Sequence, residues 1–165
     1  MELTDDDLTA LARAIIDANV YMVLGTADPG GRPWVSPVFY APHGYGELYW
    51  ISSPDVTHSR NLAGRPEAGI VVFDSRAPVG TGQAVYIAAS AGVVADTQLA
   101  DALQHYPGHP DRGGRQMTPD DLRAPATYRL YRATVSAHSV LCPRESGRPC
   151  ARHGLAHDHR TAVQP

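Results

Sequence analysis

Between Ser52 and Asp74 the chain reads SSPDVTHSRNLAGRPEAGIVVFD. The hydroxyls of Ser52, Ser53 and Thr57, the imidazole of His58 and the guanidinium of Arg60 crowd onto one short segment. Pro54 and Asp55 open a predicted helix over 55–63, and Gly64 and Pro66 close it. The first turn of a helix leaves backbone N–H groups without partners, and its dipole favours negative charge there. Arginine adds a fork that grips phosphate with two parallel bonds. The chemistry this favours is anion binding. Thr57, Arg60 and Asn61 share a face by spacing, while Val56 and Leu62 are expected to turn to the core. The same residues also suit a solvated polar helix, and no diagnostic glycine spacing separates the two readings.

A second stretch, GRPWVSPVFY over 31–40, places Pro33 and Pro37 inside a strand-like run. Proline cannot donate to a ladder, so the run belongs at an edge or a bulge. Its free backbone groups face either solvent or a planar ligand with its own donors and acceptors. Gln83, just ahead of a buried-looking strand, needs partners for its amide. No nucleophile–base arrangement is legible, so no catalytic side chain is assigned. Cys142, Cys150, His153 and His157 have ligand-type side chains, but the gap between the cysteines exceeds the usual zinc spacing. No metal is expected, and the tail is read as scattered polar residues. His105 and His109 are read as surface residues.

These residues need elements to hold them. Residues 4–18 form a predicted helix with Thr4 as cap, Asp7 closing a capping box, and an apolar stripe of Leu8, Leu11, Ala12, Ile15 and Ile16. VYMVLGTADPGGRPWVSPVFYAP is a hairpin around DPGG, and HGYG leads into the strand ELYWISS. After the polar helix come EAGIVVFD, apolar enough for burial on both faces, and the long strand QAVYIAASAGVVAD. Residues 97–105 form a helix capped by Asp96, 107–119 a long loop, PDDLRA one helical turn, and 126–141 a final alternating strand. Six antiparallel strands with short helices point to a mainly β, α+β fold closed as a small barrel, which also removes exposed edges. One domain over 1–141 and an irregular tail over 142–165 are expected.

The bulk composition fits this. Of 165 residues, 43% are hydrophobic and 19% charged, as in globular chains, and the net charge of −3 gives no general attraction to nucleic acid or acidic membranes. No apolar run approaches the roughly 20 residues of a membrane span. The acidic start MELTDDDL lacks the basic opening of a signal peptide, so a cytoplasmic location is expected. Two cysteines make no disulfide framework. Tyr40, Trp50 and Tyr86 are candidate pocket walls.

The succession VLGTADPGGRPWVSPVFY, GELYWISS, HSRNLAGRPEAGIVVFD and GQAVYIAASAGVV resembles the flavin-binding split-barrel family typified by pyridoxamine 5′-phosphate oxidase. The likeness covers about Val20 to Ala95, with 126–141 as the last barrel strand. It implies a split barrel and a homodimer with FMN at the subunit interface. It implies that Ser36, Pro37 and Val38 run along the isoalloxazine edge, and that Ser52 and Ser53 end the strand that meets the phosphate. His58, Ser59 and Arg60 would bind phosphate or ribityl, and Gln83 would approach the flavin. Relatives commonly carry Lys where His58 stands; others use a deazaflavin or haem. The basic residues that hold pyridoxal phosphate in the true oxidase are not placed here. The resemblance therefore leads to an FMN-dependent oxidoreductase, passing hydride from NADH or NADPH to a small organic acceptor or oxygen. The alternatives are a deazaflavin-dependent reductase or a flavin or haem carrier without turnover. The tail is expected to fold over the flavin of either subunit, where Arg160 would meet an anionic substrate.

Overall fold

The computed structural model describes residues 3–144 and 147–164. Thr4 caps the first helix, α1 (Asp5–Ala18), and Asp7 returns a bond to the Thr4 backbone, so the predicted capping box is present. Leu8, Ala12 and Ile16 bury the helix against the sheet. The strands are β1 (Tyr21–Ala27), β2 (Pro33–Phe39), β3 (Ala41–His43), β4 (Glu47–Ser52), β5 (Glu67–Phe73), β6 (Ala84–Val93), β7 (Arg129–Leu141) and β8 (Arg160–Val163). Two further α-helices are α2 (Thr57–Gly64) and α3 (Leu99–Ala102).

All pairings are antiparallel, in the order β2-β1-β5-β6-β7-β4-β3. The two ends of that path, β2 and β3, are separated in the chain by Tyr40 alone, so the sheet must curl back on itself. The result is the expected split barrel, with two strands beyond the six anticipated. β3 is short. β8 arises from the tail expected to be irregular, and pairs with β7 over residues 138–141. β4 takes residues 129–134 of β7 and β6 takes 131–140, so β4 and β8 lie end to end along one edge of β7.

The core fills the inside of the curl: Met22, Leu24, Trp50, Ile70, Val85 and Tyr131 meet α1 there. Tyr40 and Trp50, expected as pocket walls, are fully buried core residues, and Trp50 stacks on Tyr131 with centroids 5.5 Å apart. Aromatic rings bury more area in a closed core than at a wall. β5 is not buried on both faces: Ala68, Ile70 and Val72 point in, while Glu67, Gly69 and Phe73 are exposed. Its outer face joins the cross-strand row Val35–Gly25–Gly69–Ala88–Ala137, apolar and small. A side chain at Gly25 would put its Cβ 3.0 Å from the Gly69 carbonyl oxygen, so close strand approach excludes one.

The loop over 107–119 is firmly seated. Arg112 donates to the carbonyls of Asp17, Asn19 and Tyr40, and its guanidinium lies 4.7 Å over the Tyr40 ring. At Gly114 a Cβ would come 2.4 Å from Pro107 and 2.8 Å from Phe39. His105 is half-buried rather than superficial, stacked on His43 at 3.5 Å, whereas His109 is exposed as expected. α3 is shorter than the predicted 97–105 helix, and Gln98 stands at its cap in place of Asp96. The PDDLRA turn is a 3-10 turn over Pro119–Asp121, boxed by Thr118 and Asp121.

Candidate functional site

The strand β4 ends on Ser52, and α2 begins five residues later against β1 and β2. Asn61 is buried and donates to Thr26 Oγ1 at 3.1 Å, locking α2 onto β1. This rotation turns Asn61 inward and leaves Arg60 exposed, so Thr57, Arg60 and Asn61 do not present a common binding face. Leu62 reaches the core as expected, but Val56 precedes the helix and is exposed.

The same rotation inserts His58 between two strands. Its Nε2 lies 2.8 Å from Ser52 Oγ at the end of β4, and its Nδ1 lies 3.2 Å from Ser36 Oγ on β2. Trp34 Nε1 donates to the same Ser36 hydroxyl at 3.0 Å. Burial pushes the His58 pKa below its ordinary 6.5, so the ring is neutral near pH 7 and bridges two serines. Ser36, Ser52 and His58 are therefore brought together. Trp34 was missed from the sequence, although it stands two residues before Ser36 and so shares its strand face.

The first turn of α2 is open to an anion. Val56 provides no side-chain cap, and no acidic residue lies in that turn. Arg60 folds back over it, its guanidinium donating to the Asp55 carbonyl. Ser53 Oγ accepts from the Asp55 N–H at 3.2 Å. Ser59 is buried, with its hydroxyl beside that of Tyr131. Uncapped N–H groups, a guanidinium and nearby serine hydroxyls are a donor set that fits a phosphate headgroup.

Pro37 and Val38 sit on β2, which among the described residues pairs with β1 alone, so the expected edge position holds. Pro37 faces outward and is exposed; Val38 packs against the core. Gln83 lies elsewhere. It precedes β6, three strands along the sheet path from β2, and its Oε1 is buried without a partner. It lines a cavity of about 730 Å³ together with Thr81, Cys142 and Arg152. Within the chain the tail pairs with β7, and Arg160 stacks 4.9 Å above the half-buried Tyr86 ring.

A curled antiparallel sheet whose path closes from β2 to β3, with α2 against the edge strand, defines a split barrel. The family model for pyridoxamine 5′-phosphate oxidase matches residues 8–137, and the chain belongs to that family. Solved structures share the fold at low identity. A Clostridium acetobutylicum protein related to general stress protein 26, of the pyridoxinephosphate oxidase family, is 10% identical with a TM-score of 0.64, over 98% of this chain and 97% of that one. A haem-binding protein from Mycobacterium smegmatis is 20% identical with a TM-score of 0.66, over 98% of this chain and 59% of that one. An F420 reductase is 22% identical with a TM-score of 0.51, over 72% of this chain and 88% of that one. No curated protein matches in sequence. No helix among the described residues is long and apolar enough to cross a membrane.

Proposed function

We propose that this chain is an FMN-binding oxidoreductase acting as a cytoplasmic homodimer. The observation that carries the reading is the uncapped first turn of α2, with Arg60 folded over it and the Ser52–His58–Ser36 bridge beside it. The phosphate would sit against that turn. Ser59 and Ser53 would offer hydroxyls, and the edge of β2 at Ser36, Pro37 and Val38 would align the ring. Bound FMN supplies hydride transfer from NADH or NADPH to a small organic acceptor or to oxygen. The protein's part is to position the ligand and keep water from it.

A further observation supports a dimer. The outer row Val35–Gly25–Gly69–Ala88–Ala137 is apolar, and Val35 is 66% exposed. Gln83 lines the cavity beside Cys142 and Arg152, and in the proposed dimer it would serve the α2 site of the second copy. At this site His58 offers haem no free ring nitrogen, since both are engaged by serines, so an axial ligand would have to come from elsewhere in the chain.

The test is the visible spectrum of the purified protein, followed by anaerobic addition of NADH or NADPH. A flavin band that bleaches supports the reading. A Soret band would make the protein a haem binder, and a flavin band that neither nucleotide bleaches would make it a carrier. Arg60→Ala should weaken FMN binding by about 1–3 kcal/mol, the scale of one charge-assisted hydrogen bond, measured by flavin fluorescence quenching. Equal affinity would move the phosphate elsewhere.

A further inference from the structure

Four side chains of the C-terminal segment converge on one point. Cys142 directly follows β7, His159 directly precedes β8, and Cys150 and His153 lie on the turn between them. Their ligand atoms all fall within 4.8 Å of one another. Cys142 Sγ and Cys150 Sγ are 3.4 Å apart. His153 Nδ1 lies 3.7 Å from Cys142 Sγ, 3.5 Å from Cys150 Sγ and 3.1 Å from His159 Nε2. A tetrahedral zinc ion, with Zn–S near 2.3 Å and Zn–N near 2.0–2.1 Å, sets its ligands about 3.3–3.8 Å apart. Four of the six edges of the ligand tetrahedron thus run from 3.1 to 3.7 Å, near those of a zinc site, and the other two are within 4.8 Å.

We propose that Cys142, Cys150, His153 and His159 hold a structural zinc ion that staples the C-terminal strap to the barrel. Two thiolates with two imidazoles are the donor types zinc favours, and the group contains no carboxylate that would favour magnesium or calcium. On binding, each thiol gives its proton to solvent, and two thiolates then balance the dication. Four protein ligands leave no open position, so the role is structural.

The backbone is shaped for it. Cys142 N–H donates to the His159 carbonyl at 3.0 Å, and Cys150 N–H donates to the Leu155 carbonyl at 2.8 Å. Gly154 N–H returns to the Cys150 carbonyl at 2.8 Å, closing a tight turn around the sulfur. His159 Nδ1 lies 3.0 Å from the His157 carbonyl; a proton held there leaves the Nε2 lone pair for the metal. Both cysteines are buried, at 6% and 3% exposure. His157, the histidine grouped with the cysteines on sequence grounds, is exposed and its ring lies 6.3 Å from that of His159. The strap is also braced at its flanks. Arg144 pairs with Asp158 at 2.9 Å, and Arg152 reaches the Leu3 carbonyl at 3.0 Å. Cys142, Cys150 and Arg152 form one wall of the cavity that Thr81 and Gln83 face, so the ion would fix that wall.

The full-length protein, reduced and freed of metal by chelation, is titrated with cobalt and then zinc. Tetrahedral thiolate–cobalt absorption that zinc displaces at one equivalent, with a rise in Tm on zinc addition, is the expected result. His159→Ala should weaken zinc binding by more than the roughly 10–100-fold that losing an outer-shell partner costs, while His157→Ala leaves it unchanged. Both variants keep the two cysteines and are read against the wild-type cobalt spectrum, so loss of the signal in His159→Ala alone reports the missing ligand. No cobalt spectrum and no zinc uptake by the reduced wild type would overturn the proposal, as would a Cys142–Cys150 disulfide in protein prepared with zinc and holding none.

Discussion

His58 meets a serine hydroxyl at each ring nitrogen, and burial lowers its pKa from the ordinary 6.5. The sign of the linkage follows. The unfolded chain takes up a proton near pH 6.5, the folded chain only at lower pH. Between those values the unfolded state binds more protons, so stability present above 6.5 is lost as pH falls. His138, lowered by burial and then by Arg13, contributes in the same direction. We expect urea stability to decline as pH drops from about 7 to 5, and His58→Gln to flatten part of that decline. An identical slope in the variant would place the proton uptake elsewhere. At this scale the sequence exposed the donor types but not their partners. Ser52, His58 and Ser36 belong to three separate elements, and only the curl of the sheet makes them neighbours.

Among the elements, the loop over 107–119 does more than its composition indicated. Arg112 satisfies carbonyls at the C-terminal end of α1 and the Tyr40 carbonyl at the junction of β2 and β3, where a cation also suits the helix dipole. Arg112→Ala should cost about 2–3 kcal/mol in urea unfolding, from several half-buried charge-assisted bonds and a cation–π contact. A loss below about half a kcal/mol would show that water replaces those bonds freely. Local signals located most elements: Thr4 and Asp7 mark α1, the DPGG turn marks the β1–β2 hairpin, and alternation marks β7. The signals failed where long-range pairing decides. β8 has four residues and forms only because β7 offers it an edge beyond β4. β5 read as buried on both faces because Val71 and Phe73 are apolar, yet both lie on the outer face of the sheet, where Phe73 is exposed. His105 read as superficial because its partner, His43, is distant in the chain.

At the scale of the whole molecule, the barrel supplies two arrangements from one curl. Joining β2 to β3 through Tyr40 brings the end of β4 and the start of α2 against the edge strand, which creates the phosphate-fitting turn. The length of β7 leaves room on its second edge for β8, which draws the cysteine and histidine side chains together beyond it. The outer face of β1, β2, β5 and β6 is where the proposed second copy would pack, and Gln83 would reach the α2 site of that copy. The most direct measurement is a crystal structure of the protein grown with FMN. The account predicts two copies facing through that sheet, each phosphate against the first turn of α2 under Arg60, and each ring along β2. A phosphate bound anywhere else, or a flavin-free first turn of α2 in saturating FMN, would contradict it.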